Sequence, residues 1–314
     1  MKINVITPVN KGGPFNWGKS LAETINGSYG HNYSASHIHE FKKIMKIPLY
    51  QDHDIVHTAV PLTYKLWRKP VVLTIHGEFP IEKNIWRHFY PIAIKKANII
   101  TTPSNFLKDR LGINNAIVIP NAVFPGQFRT AEHGEKEQVS LVTLTKFSFK
   151  DKAEGVLDLI KIVENVQRHT DIKIKYTVIG GGKYLDYVKD KITDVDLDLY
   201  FTGFLNDPKE VLKENDIFLY YSIHDNFPIA ILEAMATGLP VITNDVGAVR
   251  EMISSGKNGY VPDSSDEYER YLIDMISDHR SRARIGRNAR NTIENRFSWH
   301  KIIKEYRKIY DSLS

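Results

Sequence analysis

The chain has 314 residues, of which 42% are apolar and 25% charged, a length that suits two domains of about 150 residues each and a composition that excludes a disordered chain. It contains no cysteine, which excludes a disulfide scaffold, a Cys-ligated zinc or iron–sulfur centre and a thiol nucleophile, and fits a reducing compartment. The net charge of +5 is uneven: residues 1–129 carry 16 Lys/Arg against 7 Asp/Glu, a balance of +9, whereas residues 130–314 sum to −4; the excess points to an anionic partner for the front half or merely to solubility.

Short apolar runs alternate with amphipathic stretches from end to end, the pattern of strand–helix units on parallel sheets. The opening MKINVITP reads as a strand rather than a signal peptide. Further strands are expected at 54–58, 71–74, 99–102 and 116–119, with helices at 15–25 and 81–96. The polar stretch 124–138, with Pro and Gly and no periodicity, reads as a linker. The alternation then restarts, with strands at 139–146, 173–179, 197–202, 216–221, 240–243 and 259–261. Helices are expected between them at 153–167, 184–192, 228–237 and 248–254. The tail is helical from residue 265, and Ile302, Ile303, Tyr306, Ile309, Tyr310 and Leu313 recur with a 3.6-residue period. The longest apolar run, 227–242, is broken by Glu233, Gly238 and Pro240 and falls short of the ~18–20 residues of a membrane-spanning helix, so a cytoplasmic protein is expected.

Ligands of open parallel sheets bind beyond the carboxyl ends of the strands, so the residues there matter most. After the first strand come Gly12 and Gly13, whose missing side chains let a backbone approach a ligand at a helix start; a simple tight turn accounts for them equally well. His76 follows the strand 71–74 and suits a bond to a sugar hydroxyl or phosphate, or a structural role. The pairs His37/His39 and His53/His57 have metal-like spacing, but the second runs into a strand, where residues four apart share no helical face; no metal site is expected. Lys146 and Lys152 lie on a strand-to-helix loop and suit phosphate binding or a solvated cluster. Gly180 and Gly181 open a glycine triplet after another strand. Asp225 stands at the mouth of a helix that Pro228 can start, and Glu233 lies within IAILEAMA, where a carboxylate is rarely buried without a partner. The Asp-x-Asp of Asp196 and Asp198 enters a strand and reads as a solvated edge.

Taken in order, the Gly12-Gly13 loop, DIVH (54–57), VVLTIHG (71–77), ANIITTPSNFLKDRL (97–111), VIPNAV (118–123), VIGGG (178–182), YFTGFL (200–205) and DNFPIAILEAMATGLPVITNDVGAVREMI (225–253) resemble the retaining glycosyltransferases of family 4. That resemblance implies a GT-B fold: α/β, with two Rossmann-like parallel-sheet domains facing across a cleft. Residues 1–128 would form the acceptor domain, with helix 298–314 packing back on it, and residues 129–297 the donor domain. The family's Glu-x7-Glu pair falls on Asp225 and Glu233, the second holding the ribose hydroxyls and the first facing the donor sugar. Asn226 and the backbone amides of Phe227, Ile229 and Ala230 would approach the diphosphate or sugar. Lys146 and Lys152 match the phosphate-binding Arg and Lys, His76 the histidine that reaches the sugar, and Gly13 the glycine facing the diphosphate.

The sequence departs from the family in three places: Asp225 replaces Glu, Lys146 replaces Arg and loses its bidentate geometry, and the first domain is short. The implied reaction moves a hexose-type sugar from a nucleotide diphosphate sugar, a UDP-sugar by preference, to a glycan or lipid-linked acceptor with retention and without metal or other cofactor. A degenerate nucleotide-sugar-binding protein and a sugar-nucleotide epimerase are the alternatives. Residues 83–96, with Trp86, Phe89 and Tyr90 among Lys83, Arg87, Lys95 and Lys96, suit peripheral contact with an anionic membrane or a helix packed on its own core. No nucleic-acid motif accompanies the charge.

Overall fold

The computed structural model describes residues 1–8, 12–28, 32–39, 53–61, 69–82, 85–132, 134–192 and 195–314. They form two α/β units, Met1–Ala122 with Phe297–Ser314, and Val123–Arg296. Among the described residues no helix is long and apolar enough to cross a membrane.

The first unit is built on a wholly parallel sheet. Its strands are β1 (Lys2–Ile6), β2 (Ser34–Ile38), β3 (Ile55–Thr58), β4 (Val71–Thr74), β5 (Ile99–Thr102) and β6 (Ile117–Val118), in the order β2-β1-β3-β4-β5-β6. Strands β3 and β4 are buried at every position, as expected of strands covered on both faces. Strand β2, SASHI, carries no apolar alternation, and sequence reasoning leaves it unassigned; it is an edge strand held by pairs such as Ile3↔Ala35 and Val5↔His37. Among its described residues up to 122 the helices are α1 (Gly13–Ser28), α2 (Tyr90–Lys96) and α3 (Asn105–Leu111). The single helix expected over 81–96 is instead a turn, a 3-10 segment at Ile85–His88 and then α2, with Pro91 in the first turn. Proline fixes its own φ and has no N–H to give, so it starts a helix well and continues one badly.

The second unit contains β7 (Gln138–Leu144), α4 (Lys150–Gln167), β8 (Lys173–Ile179), α5 (Leu185–Lys191), β9 (Asp198–Gly203), α6 (Lys209–Lys213), β10 (Ile217–Tyr220), α7 (Ile229–Ala236), β11 (Val241–Thr243), α8 (Val249–Met252), α9 (Ser265–Ser277) and α10 (His279–Arg296). Its sheet is also parallel, in the order β11-β10-β7-β8-β9. Residues 259–261 form isolated bridges, Ile242↔Tyr260 to β11 and Ser255↔Gly259, rather than the expected strand. Asp196 and Asp198 are exposed at the start of edge strand β9. Val156, Leu159, Ile160 and Val163 of α4 pack with Leu141, Tyr176, Val178 and Leu219 of the sheet and Leu272 and Met275 of α9 in one apolar core.

The last helix, α11 (Trp299–Asp311), belongs to the first unit. The periodic positions Ile302, Ile303, Tyr306, Ile309 and Tyr310 are all buried, and the helix packs on α1.

Candidate active site

In the second sheet the chain runs outward from β7 through β8 to β9, then returns to the other side of β7 for β10 and β11. The loops leaving the neighbours β7 and β10 therefore diverge, and that switch point is where an open parallel sheet offers a crevice. Lys152 enters it from the first turn of α4, and Asp225 from the loop after β10. The two are ion-paired through Asp225 Oδ2, with side chains 17% and 18% exposed, so solvent still reaches both. Tyr220, the last residue of β10, completes a ring: Lys152 Nζ donates to its hydroxyl (2.6 Å), which donates to the same Asp225 oxygen (2.7 Å). Asp225 Oδ1 takes the Phe227 N–H at 3.1 Å. Burial and the Asp225 charge hold the Tyr220 phenol well above its ordinary pKa, which keeps it a donor.

Two glycines make this meeting possible. A side chain at Gly155, three residues after Lys152, would strike the backbone carbonyl of Tyr221, so α4 lies directly on the β10 loop. Gly247 adopts φ +59°, and a Cβ there would strike the carbonyls of Asp225 and Asn226; few residues but glycine tolerate both conditions. The loop is further fixed by Asn244, whose amide bonds the N–H and carbonyl of Ser222 at 3.0 and 2.9 Å.

The rim carries the other predicted residues. Gly180 and Gly181 follow β8; the Gly180 N–H bonds Gly203 O and the Gly181 carbonyl accepts from the Phe147 N–H, which ties the loops after β7, β8 and β9 together. Asn226 has a buried Oδ1 with no partner among the described residues. Pro228 stands at the N-cap of α7 and offers no side-chain cap, which leaves the N–H groups of Ile229 and Ala230 to another acceptor. Glu233, on α7, is half-buried and its carboxyl has no hydrogen bond or ion pair among the described residues. Burial raises its pKa to about 7; Asp207 pushes in the same direction and Lys209 opposes it. Lys146 is exposed on the β7 loop and stands outside the Lys152–Asp225–Tyr220 ring.

The first unit collects aromatic and imidazole rings instead. Gly12, at φ +110°, and Gly13 open α1, and a Cβ at either meets no described atom within 4 Å; residues 9–11 of this loop lie outside the described ones. His76, two residues past β4, packs edge-on against Trp17 with ring centroids 4.8 Å apart. Its Nε2 is buried without a partner among the described residues, and burial lowers its pKa to about 4. Trp17 donates its indole N–H to Tyr306 on α11 at 3.2 Å. His57 uses both ring nitrogens, Nδ1 with Tyr310 at 2.7 Å and Nε2 with Thr74 at 2.6 Å, and burial takes its pKa to about 3. His37 Nε2 is bonded to the Thr7 hydroxyl at 2.9 Å.

Thus Lys152, Asp225 and the amide of Phe227 are in direct contact, whereas Lys146 and Glu233 make no contact with them that the structure resolves. Sequence reasoning missed Tyr220 and Gly155. Their signals were present: a phenol at the carboxyl end of a strand, five residues before Asp225, and a glycine one turn into a helix. In the segment 83–96, residues 83–84 lie outside the described ones. Trp86, Phe89 and Tyr90 are half-buried, Tyr90 stacking on Phe79 at 4.7 Å, so the exposed apolar groups here are Ile81, Ile85 and Ile92.

Comparison with known proteins agrees with this architecture. Residues 136–292 match the family model for glycosyl transferases group 1. An uncharacterized glycosyltransferase of Methanocaldococcus jannaschii is 27% identical over 274 residues, 78% of this chain and 69% of that protein. The phosphatidyl-myo-inositol mannosyltransferase of Mycolicibacterium smegmatis is 24% identical over 318 residues, 95% of this chain and 80% of that protein. Among solved structures, Anabaena HepE in complex with UDP superposes with a TM-score of 0.80 at 18% identity, covering all of both chains, a likeness of GT-B fold. The chain belongs to the glycosyl transferases group 1 family.

Proposed function

We propose that this glycosyltransferase moves a hexose-type sugar from a nucleotide diphosphate sugar, a UDP-sugar by preference, to a glycan or lipid-linked acceptor, with retention and without metal. The observation that carries the reading is the meeting of Lys152 and Asp225 at the switch point of the second sheet, beside the unsatisfied Asn226 and the uncapped start of α7. A leaving diphosphate develops negative charge, and Lys152 and Lys146 offer positive charge and the N–H groups of Ile229 and Ala230 donors for it. Glu233 offers a carboxyl for a diol such as ribose, and the unsatisfied imidazole nitrogen of His76 a partner for a sugar hydroxyl. The acceptor attacks on the face the diphosphate leaves, its proton passing to the departing phosphate oxygen. HepE, solved with UDP, and the mannosyltransferase relative support the donor and acceptor classes.

Hydrolysis of and transfer from UDP-, GDP- and ADP-sugars test the reading. Lys152→Ala and Glu233→Ala are each expected to lower turnover on the preferred donor by about 100-fold or more. Unchanged turnover in both would overturn the site; nucleotide binding without turnover in the wild type would make the chain a binding protein, and release of an epimer from the donor alone an epimerase.

Peripheral membrane contact is part of the same proposal. Ile81, Ile85 and Ile92 are exposed near Arg87, Lys95 and Lys96, and residues 85–96 contain no acid. Anionic liposomes are expected to bind the protein at low salt and release it at high salt; no binding at low salt would remove the membrane from the reading.

A further inference from the structure

The ring formed by Lys152, Asp225 and Tyr220 has a property that the donor-site reading does not require. Every oxygen of Asp225 is occupied: Oδ2 by the ammonium and the phenol, Oδ1 by the Phe227 N–H. The ammonium, in turn, gives one proton to the carboxylate and one to the phenol oxygen. Lys152 is therefore ion-paired within the protein with one of its three N–H donors left over, and an anion that takes the whole ammonium draws it away from Asp225.

We propose that Tyr220 is a positioning residue, one that holds Lys152 to Asp225 while the site is empty and holds Asp225 in place once a nucleoside diphosphate has taken the lysine. This rests on the reading of the second unit as the donor site. When the ring opens, the lysine leaves behind two bonds, one to the carboxylate and one to the phenol. A half-buried carboxylate stripped of its cation is costly unless other donors hold it. Tyr220 OH and the Phe227 N–H remain, one on each oxygen, and they fix the direction of the carboxylate toward a sugar. The phenol is suited to this because it is 2% exposed at the end of a strand and its backbone cannot follow the lysine. A diphosphate carries more charge than one carboxylate, so the exchange favours it.

The two roles of Tyr220 predict effects of opposite sign. Removing the hydroxyl takes one acceptor from Lys152 in the empty site and none from it in the occupied site, so UDP should bind more tightly. The same change leaves Asp225 with one donor after the lysine departs, so turnover should fall. The test is calorimetric titration of the full-length protein with UDP, alongside turnover of its preferred sugar nucleotide, for wild type, Tyr220→Phe and Asp225→Asn. Tyr220→Phe should tighten UDP about threefold and lower turnover about tenfold. Asp225→Asn, which removes the competing charge outright, should tighten UDP further than Tyr220→Phe does. A melting temperature close to wild type would accompany Tyr220→Phe, and a merely structural role could not give tighter UDP with slower turnover. Weaker UDP binding in step with turnover, or no change in either, would overturn the proposal. Lys152→Ala separates the two readings: if wild type binds UDP and this variant does not, the donor site stands and Tyr220 is judged alone. If wild type binds no UDP, both fall.

Discussion

The carboxyl ends of the two sheets solve opposite problems. In the second unit a cation, a carboxylate and a phenol are closed into a ring by residues from neighbouring strands, 152 to 225. In the first unit the polar groups are neutral: the imidazoles of His57 and His76 are kept unprotonated by burial and wedged among Trp17, Tyr306 and Tyr310. The bulk charges run the other way, with +9 over residues 1–129 and −4 over residues 130–314. Net charge reports the surface of a domain; the chemistry at its strand ends is set by which side chains are buried together.

The largest test of that contrast is to remove residues 297–314. The six buried side chains of α11 are worth up to about 1.5–3 kcal/mol each, which rivals the ~5–15 kcal/mol stability of a whole domain. Amide protection is expected to collapse in β1, β3 and β4 and to persist in β7, β8 and β10. Protection that survives in both units would show that the first is as self-sufficient as the second.

A smaller effect concerns pH. The folded pKa values of His37 and His76, about 4, and of His57, about 3, lie below the ordinary 6.5. The unfolded chain therefore takes up more protons below pH 6.5, and the first unit loses stability as pH falls from there toward 4. Glu233 behaves in the opposite sense: its folded pKa of about 7 exceeds the ordinary 4.5, so its contribution is complete below pH 4.5 and is lost as pH rises to 7. Between pH 4.5 and 6.5 the two units should show opposite slopes, of roughly 1–3 kcal/mol across the window for each fully buried group and less for the part-exposed His37, in denaturation followed by amide exchange. Glu233→Gln should flatten the slope of the second unit alone; a shared slope that ignores this substitution would remove the contrast.

Much of this was legible in the sequence because it is local. Buried parallel strands announce themselves as apolar runs, and α11 as a 3.6-residue stripe. Lys152 and Asp225 could be singled out by their places after strands. Their bond could not, since it joins residues 73 apart and depends on Gly155 letting a helix rest on a loop. Strand β2 escaped notice because an edge strand needs no apolar alternation to pair. The aromatics of 85–90 left two readings open because an amphipathic pattern says which side chains are apolar, not which of them the domain keeps for itself.

The position of α11 has a consequence for synthesis. The strands of the first unit leave the ribosome first, yet the hydroxyls that complete Trp17 and His57 reside at 306 and 310, beyond the whole of the second unit. At about 5–20 residues per second the early half waits on the order of ten seconds or more for its last helix, while the later half can close on itself. Order of emergence and order of completion are thereby reversed, and the nascent N-terminal sheet stays open for longer than the C-terminal one.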